Sequence, residues 1–258
     1  MSEKKLNKTV INQGLTTRFI GQNVIYYQSV TSTNDIARQR ALANAPEGTA
    51  VIAENQTAGK GRLKRTWLSP EGNIAATIIL YPARENLQFL TMLAALAVLR
   101  SIEKTTGLKC QLKWPNDVLI NNRKVCGILL ESQAASDRVD YAIIGIGINV
   151  NMNLSDYPEI ASFATSLADE TGKEVSRLVL LQNLFLEMEK LYVHLRSGES
   201  LLPEWRDNLI TLGKNVHIRS GDDVFEGIAE SVAEDGSLML RCADGRLLKF
   251  MAGDVTLR

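Results

Sequence analysis

The chain of 258 residues carries 29 basic and 29 acidic residues, and 45% of its residues are hydrophobic. This length suggests one large domain or two, and the hydrophobic content is ordinary for a folded globular protein. The balanced charge argues against a general nucleic-acid or membrane-surface binder, which would be strongly basic. Apolar runs such as 92–99 fall far short of the ~20 residues that span a bilayer, and the N-terminus has no apolar signal-peptide core. We therefore expect neither a membrane span nor a membrane partner.

The cysteine and histidine residues are few and widely spaced. Cys110, Cys126 and Cys242 form no Cys-x-x-Cys pair, which fits a reducing cytosol and offers neither a metal cage nor a disulfide framework. The two histidines, His194 and His217, fall outside the motifs described below, so His-based catalysis is not expected. We therefore predict a cytoplasmic protein without a dedicated metal cage.

The first 22 residues are polar and carry no long apolar pattern. The segment Thr31–Asp35 offers N-cap side chains to a helix that ends near Ala45, and Gly107 is suited to close the next helix. Asn121-Asn122 marks a turn between two strands. The predicted strands are 23–30, 49–54, 73–81, 110–114, 117–120, 124–131 and 141–150. The other predicted helices are 86–105, 176–195 and 202–212.

Composition changes after Gly213. Short strands are separated there by turn signals at 220–222, 234–236 and 243–245, a spacing that suggests a small β-barrel of roughly 45 residues. Strands and helices are segregated rather than alternating, so we predict an α+β protein. The predicted domains are 1–212 and 213–258.

The segment 56–67 concentrates positive charge in a chain that is otherwise balanced. Its basic residues occupy four of six positions, and two glycines lie among them: Lys60, Arg62, Lys64 and Arg65, with Gly59 and Gly61. Glycine lets backbone N–H groups approach an anion closely, and Lys and Arg neutralise its charge. The segment therefore fits a phosphate or a carboxylate, although a solvated basic turn would have the same composition.

Four further motifs stand in order along the chain. They are Ser32-Thr33-Asn34, Lys113-Trp114-Pro115-Asn116-Asp117, Arg123-Lys124-Val125-Cys126-Gly127-Ile128-Leu129-Leu130-Glu131 and Gly145-Ile146-Gly147-Ile148-Asn149. With the basic loop, the set resembles the biotin–protein ligases, whose hallmarks are a Gly-Arg-Gly-Arg-x-x-Arg-x-Trp loop, a Lys-Trp-Pro-Asn-Asp turn and a strand carrying Lys then Gly. The resemblance runs from about 26 to 151 and continues more weakly through the C-terminal tail. It implies a class II synthetase-like catalytic fold, in which helices pack on a central mixed sheet, followed by an SH3-like barrel.

The resemblance also implies an activity. Ligases of this family make biotinyl-5′-AMP from biotin and ATP, and then pass biotin to a lysine of a biotin carboxyl carrier domain, such as that of acetyl-CoA carboxylase. The first step brings a carboxylate against a triphosphate, so catalysis must rest mostly on positioning and positive charge. Phosphoryl chemistry in general also uses Mg²⁺, which we expect as a cofactor.

The family's site residues carry over onto matching positions of this sequence. The implied biotin site is Ser32, Thr33, Asn34, Gln56, Gly59, Lys60, Gly61, Arg62, Lys124 and Gly127. The implied ATP site is Arg62, Arg65, Trp67, Lys113, Asn116, Lys124 and Asn149. The implied catalytic residues are Arg62, Lys124 and Asp117. Lys124 would touch both the biotin carboxylate and the phosphate, and Asp117 would orient the acceptor lysine.

Each of these residues has a plainer interpretation. Ser32 and its neighbours could serve only as a helix cap, and a lone Trp such as Trp67 more often packs in a core. Lys124 follows a turn and would, taken alone, be a solvated turn residue. Asn116-Asp117 after a proline is a common turn pair. Cys126 is expected to be a small buried filler.

The sequence also departs from the family pattern. Lys60 stands where most relatives carry Arg, and Leu63-Lys64 replaces the common Arg-Gly pair, which affects how the loop closes. Some relatives double as repressors and carry an N-terminal winged helix-turn-helix. About 20 residues precede the first predicted strand, too few for such a domain, so we expect a single-function ligase without a nucleic-acid partner. Exposed strand edges and the family habit allow a homodimer.

Two rival functions remain open. A lipoate–protein ligase shares the catalytic fold, although the Lys-Trp-Pro-Asn-Asp turn, the basic loop and the C-terminal barrel argue against it. A non-catalytic binding module is disfavoured because Arg62, Lys124 and Asp117 all stand at their family positions. A dinucleotide-binding fingerprint is rejected because Val150 replaces its third glycine, and Gly59-Lys60 lacks the rest of a Walker loop.

Overall fold

The computed structural model describes residues 6–257, so the first five residues of the polar N-terminal region and Arg258 lie outside the described residues. Its helices are α1 (Lys8–Asn12), α2 (Thr33–Leu42), α3 (Leu90–Thr106), α4 (Pro158–Ala161), α5 (Leu167–Thr171), α6 (Arg177–Arg196) and α7 (Leu202–Asp207). Its strands are β1 (Val24–Val30), β2 (Ala50–Gln56), β3 (Ile74–Leu80), β4 (Gln111–Lys113), β5 (Asp117–Ile120), β6 (Arg123–Ala134), β7 (Val139–Ile148), β8 (Asn215–Ser220), β9 (Asp223–Val232), β10 (Leu238–Arg241), β11 (Leu247–Phe250) and β12 (Asp254–Leu257).

Strands β1 to β7 form one mixed sheet in the order β1-β2-β3-β7-β6-β5-β4. β1 and β2 run parallel, whereas every other neighbouring pair in this sheet is antiparallel. The register places Gly147 of β7 opposite both Ala75 of β3 and Gly127 of β6. Small residues therefore meet in the middle of the sheet and leave room for a group that lies on its face.

Helices cover both faces of this sheet. Because side chains alternate across a strand, Ile78 joins the main core, which includes α3 and α6, whereas Ile79 contacts α2 on the other face. Helix α2 presents Ala37 and Ala41 to the sheet, and these small side chains let it lie close to the strands. Gly145 and Gly147 lie two and four residues after Ile143 in β7, so all three face the same side of the sheet. This is the side that α2 covers.

Strands β8 to β12 form a five-stranded antiparallel sheet in the order β11-β10-β9-β8-β12. Its inward-facing Val216, Ile218 and Leu240 belong to the same core cluster as residues of the seven-stranded sheet. Buried Trp114 joins the two parts further, because its indole Nε1 donates a hydrogen bond to Gly236 O at 3.0 Å. The predicted α+β class, a mixed sheet with helices followed by a small β unit, is confirmed. The boundary at 212/213 stays a prediction.

The predicted elements differ from the observed ones mainly at their ends. The segment 84–89 is a 3-10 helix, so α3 begins at Leu90 rather than at 86. The predicted helix 202–212 ends at Asp207, because the chain then pairs with β4: Leu112 N donates to Asn208 O and Ile210 N donates to Leu112 O, both at 2.9 Å. Ser32 is the N-cap residue of α2, but its side chain makes no capping hydrogen bond.

Candidate active site

A cavity of about 360 Å³ opens on the α2 face of the sheet, beneath the basic loop. Most of the residues predicted for the site line it: Ser32, Thr33, Asn34, Gln56, Lys60, Gly61, Arg62, Arg65, Trp67, Asn116, Asp117, Lys124, Gly127 and Asn149. Gly59 and Lys113 are the exceptions. Gly59 joins the two ends of the loop, since its carbonyl accepts a hydrogen bond from Trp67 N at 2.9 Å.

One end of the cavity is a buried network of uncharged polar groups. Gln56 Oε1 accepts hydrogen bonds from Thr33 N at 2.8 Å and from Thr33 Oγ1 at 3.0 Å. Thr77 Oγ1 donates to Asn34 Oδ1 at 2.7 Å. Such groups can both donate to and accept from an uncharged polar ligand. The N-terminus of α2 thus lines the cavity, and Ser32 makes no side-chain capping hydrogen bond there.

A carboxylate fixes the orientation of the Asn34 amide. Glu131 accepts a hydrogen bond from Asn34 Nδ2 at 2.6 Å and pairs with Arg38 Nη2 at 2.5 Å. Because an ionised carboxylate only accepts hydrogen bonds, Asn34 must direct its Nδ2 toward Glu131 and its Oδ1 toward Thr77. The orientation of the Asn34 amide, which lines the cavity, is thereby fixed by Glu131 and Thr77.

The basic loop is held over the cavity by three polar contacts. Lys60 Nζ lies 2.5 Å from Asp35 Oδ1, and Arg62 Nη1 donates to Asn116 Oδ1 at 2.9 Å. Arg65 forms a two-pronged pair with Asp254 at the start of β12, with Nη1 at 3.1 Å from Oδ1. Burial lowers the pKa of Arg62, and the nearby carboxylates of Asp117 and Asp254 oppose that shift.

The departure at Leu63-Lys64 has a structural consequence. Both residues adopt left-handed backbone, with φ of 53° and 61°, a region that costs non-glycine residues energy. A glycine at the second of these positions would adopt this backbone more readily than Lys64 does. Leu63 lines the cavity and is exposed, and its aliphatic side chain brings no charge where the family's Arg would.

Lys124 and Asp117 meet at the centre of the cavity. Lys124 Nζ lies 2.7 Å from Asp117 Oδ1, at an angle that makes the contact an ion pair rather than an aligned hydrogen bond. The ammonium also lies 5.4 Å from the Trp67 ring centroid, within range of a cation–π interaction. A Cβ on Gly127 would lie 3.0 Å from Trp67 and 3.3 Å from Lys124 Nζ, so the glycine makes room for both. Lys124 is thus no solvated turn residue.

A second cavity, of about 620 Å³, adjoins the first. It shares Arg65, Lys124 and Asp254 with the smaller cavity, and it adds the cations Lys113 and Lys214. Burial lowers the pKa of Lys113, while nearby carboxylates oppose the shift. This cavity therefore places a cluster of cations beyond Lys124, on the side of the C-terminal sheet.

Comparison with known proteins agrees with this geometry. Residues 25–149 match the Biotin/lipoate A/B protein ligase family, and residues 211–258 match the Biotin protein ligase C terminal domain. The chain is 40% identical to the bifunctional ligase/repressor BirA of Bacillus subtilis, over 98% of this chain and 79% of that protein. It is 34% identical to the biotin–[acetyl-CoA-carboxylase] ligase of Paracoccus denitrificans, over 82% of this chain and 93% of that protein.

The chain belongs to the biotin–protein ligase family. Among solved structures, the biotin protein ligase of Aquifex aeolicus in complex with biotin and ATP superposes with a TM-score of 0.79 and 31% sequence identity, covering 92% of this chain and 99% of that chain. The family predicted from the ordered motifs is therefore confirmed.

Several residues of the candidate site were not among the predicted site residues. Thr77, on a buried strand, gave no signal, whereas Gly145 and Gly147 belong to a quoted motif but were not assigned to the site. Asp254 and Lys214 belong to the C-terminal part of the chain, far from every motif. Asn149, predicted near the adenine, lines the cavity but is itself buried, and its Nδ2 donates to Thr165 O at 3.0 Å.

Within residues 6–257, no group of three or more His, Cys, Asp or Glu side chains is arranged to hold a metal ion. None of the helices in the described part of the chain is long and apolar enough to cross a membrane.

Proposed function

We propose that this ligase activates biotin with ATP to form biotinyl-5′-AMP, and transfers biotin to one lysine of a biotin carboxyl carrier domain, such as that of acetyl-CoA carboxylase. One observation carries the proposal. The Lys124–Asp117 pair, with Nζ and Oδ1 2.7 Å apart, stands in one cavity with an uncharged polar network and a cationic loop. The uncharged polar network suits the neutral ureido ring of biotin. Lys124 and the cationic loop suit its carboxylate and the phosphate of ATP.

In the first step, a carboxylate oxygen of biotin attacks the α-phosphorus of ATP, and pyrophosphate leaves. Attacking and attacked groups are both anionic, so the protein must offset their repulsion. Arg62 and Lys124 line the cavity and supply positive charge there. The ammonium of Lys124 can contact both the biotin carboxylate and the α-phosphate, so it can stabilise negative charge as that charge moves from one oxygen to the other. Lys113 and Lys214 in the adjoining cavity are suited to receive the departing pyrophosphate.

In the second step, the acceptor amine attacks the biotinyl carbonyl, and AMP leaves. An attacking lysine must be neutral, whereas its ordinary pKa is about 10.4. Asp117 is the carboxylate closest to Lys124 and can accept a hydrogen bond or a proton from the incoming amine. Lys124, already paired with Asp117, holds that carboxylate within the cavity.

The residues present fit Mg²⁺ as a companion of the triphosphate rather than as a caged ion. Mg²⁺ usually binds through one or two carboxylates together with substrate phosphates. Asp117 and Asp254 line the adjoining cavity and offer carboxylate oxygens to a metal ion. The side-chain oxygen of Asn116, in contrast, already accepts a hydrogen bond from Arg62. When bound, the metal would neutralise phosphate charge.

The transfer is tested by the intact mass of a purified biotin carboxyl carrier domain after incubation with the ligase, biotin, ATP and Mg²⁺. We expect one biotin per carrier domain, dependent on ATP. A lipoyl domain supplied with lipoate is the matched control and should stay unmodified. An unchanged carrier with a modified lipoyl domain would favour a lipoate–protein ligase instead.

The remaining expectations concern partners and location. A formal net charge of zero leads us to expect no sequence-selective DNA binding by this chain, and saturable retardation of an operator fragment at physiological salt would contradict this. Strand β1 pairs only with β2 among the described strands, so its open edge allows a homodimer, which sedimentation can check. The free thiols of Cys110, Cys126 and Cys242 suit a cytoplasmic protein.

A further inference from the structure

The backbone just before Lys124 is unusual. Asn121 and Asn122 both have positive φ, of 50° and 62°, as in the tight turns that join antiparallel strands. The β5–β6 register then shifts, so that Leu119 faces Lys124 while Val118 faces Cys126. Such a bulge changes the direction of neighbouring side chains. The direction of Lys124 therefore depends on what holds this turn.

A segment distant in sequence holds Lys124 from its other side. Lys124 N donates to Phe163 O at 2.8 Å, and Thr165 N donates to Lys124 O at 2.9 Å. These two bonds form a parallel bridge between Lys124 and Ala164. Both backbone groups of Lys124 are thus bonded to the segment that leads into α5.

One carboxylate joins this segment to the turn. Glu170 Oε2 accepts from Asn121 Nδ2 at 2.7 Å. Its Oε1 accepts from Arg123 Nη2 at 2.8 Å and from Thr165 Oγ1 at 2.7 Å. The Glu170 side chain is only 6% exposed, whereas that of Arg123 is 45% exposed, so the contacts are charge-assisted and the carboxylate itself is largely shielded from water.

We infer that Glu170 is a positioning residue for Lys124: its carboxylate fixes the turn and the bridging segment together, and so directs the ammonium toward Asp117 and the reacting groups. The inference rests on the proposed role of Lys124. Glu170 lines neither cavity, so it acts through the backbone rather than by touching a substrate. Asn121 and Arg123 cannot fix the turn alone, because both are exposed.

The test compares Glu170→Gln with wild type. The substitution keeps the size of the side chain but removes the charge that pairs with Arg123. Since displacing a reacting group by about 1 Å can cost as much as ~100-fold in rate, we expect kcat for biotin-dependent pyrophosphate release to fall roughly 10- to 100-fold per titrated active site. KM for biotin and for ATP should change less than kcat, because the binding groups other than Lys124 stay in place.

Two controls separate positioning from stability. Glu204→Gln removes a carboxylate that pairs with Arg100 away from both cavities, and should leave kcat per active site unchanged. Arg123→Gln alters an exposed partner of Glu170, so it tests the same link if Glu170→Gln fails to fold. We expect a smaller loss of kcat of the same kind.

A direct readout is the reactivity of the Lys124 amine. Competitive acetylation followed by peptide mass measurement compares Lys124 with exposed Lys109 in the same molecule. In Glu170→Gln, Lys124 should become more reactive relative to Lys109, because it leaves Asp117 more often. Unchanged reactivity together with unchanged kcat, in folded Glu170→Gln or Arg123→Gln, would overturn the inference. If Lys124→Ala itself kept full pyrophosphate release, the proposed function would fail instead.

Discussion

Two glycines of β7 allow the two halves of the cavity to be perturbed separately. A Cβ on Gly147 would lie 2.8 Å from Trp67 Cζ2 and closer still to Nε1, whereas a Cβ on Gly145 would lie 3.0 Å from Asn34 Cγ and closer still to Oδ1. Neither glycine has left-handed backbone, so an alanine acts only through the space it fills. We predict that Gly147→Ala impairs ATP binding and Gly145→Ala impairs biotin binding.

The size of each effect follows from the overlap. Ordinary van der Waals contact is 3.4–4 Å, so the Trp67 indole or the Asn34 amide must move by roughly 1 Å. The indole lies against Gly127 and Gly147 of the sheet, and the amide is bonded to Glu131 and Thr77. Inserting a methyl group at a packed position typically costs about 1–3 kcal/mol. Each tenfold change in affinity is about 1.4 kcal/mol, so we expect a roughly 5- to 150-fold rise in the affected KM.

The assay is steady-state pyrophosphate release with biotin and ATP varied in turn. Gly147→Ala should raise KM for ATP far more than KM for biotin, and Gly145→Ala should do the reverse. Each variant is the control for the other, since both add one methyl group to the same face of the same strand. If both raised the same KM, or if both folded and kept wild-type values, the division of the cavity into a biotin end and a nucleotide end would be wrong.

Other substitutions and a labelling experiment test single side chains. Lys124→Ala removes a cation shared by two anions and should slow pyrophosphate release at least ~100-fold, about 3 kcal/mol; near-normal release by the folded variant would refute the role. Arg62→Gly breaks the hydrogen bond from the loop to Asn116, so biotinyl-5′-AMP should escape and biotin should appear on bystander proteins in a blot; labelling of the carrier alone would contradict this. Burial raises the pKa of Cys110 to about 12, so at pH 8 its thiol stays protonated, and iodoacetamide should modify the more exposed Cys242 first, as read by peptide mass. Faster modification of Cys110 would be inconsistent with its burial.

The longer elements could be predicted from the sequence because their patterns are local. Apolar runs indicated β3 and β7, and helical spacing indicated α3 and α6, within a few residues at most ends. The short helices α1, α4 and α5 have at most five residues each, too few for a periodic pattern to stand out. The end of α7 could not be predicted either, because a tertiary pairing with β4 terminates it.

The candidate site was predictable where its residues stand in compact motifs. Lys124, Asp117 and Arg62 could be identified in this way, and the structure brings all three to one cavity. Glu170 gave no such sign, since a single glutamate in a short helix is ordinary, and Glu131 ended a motif without being predicted as a site residue. Their importance arises only from the donors that converge on them.

The sequence by itself determined the family, the order of the motifs and the chemical types available to the site. Only the tertiary structure decided how the charges are paired. Lys60 and Arg65 are five positions apart in one loop, yet Lys60 pairs with Asp35 of α2 and Arg65 with Asp254 of β12. The physical reason is that Coulomb and hydrogen-bond energies depend on distance in space and on burial, which the folded sheet sets and spacing along the chain does not.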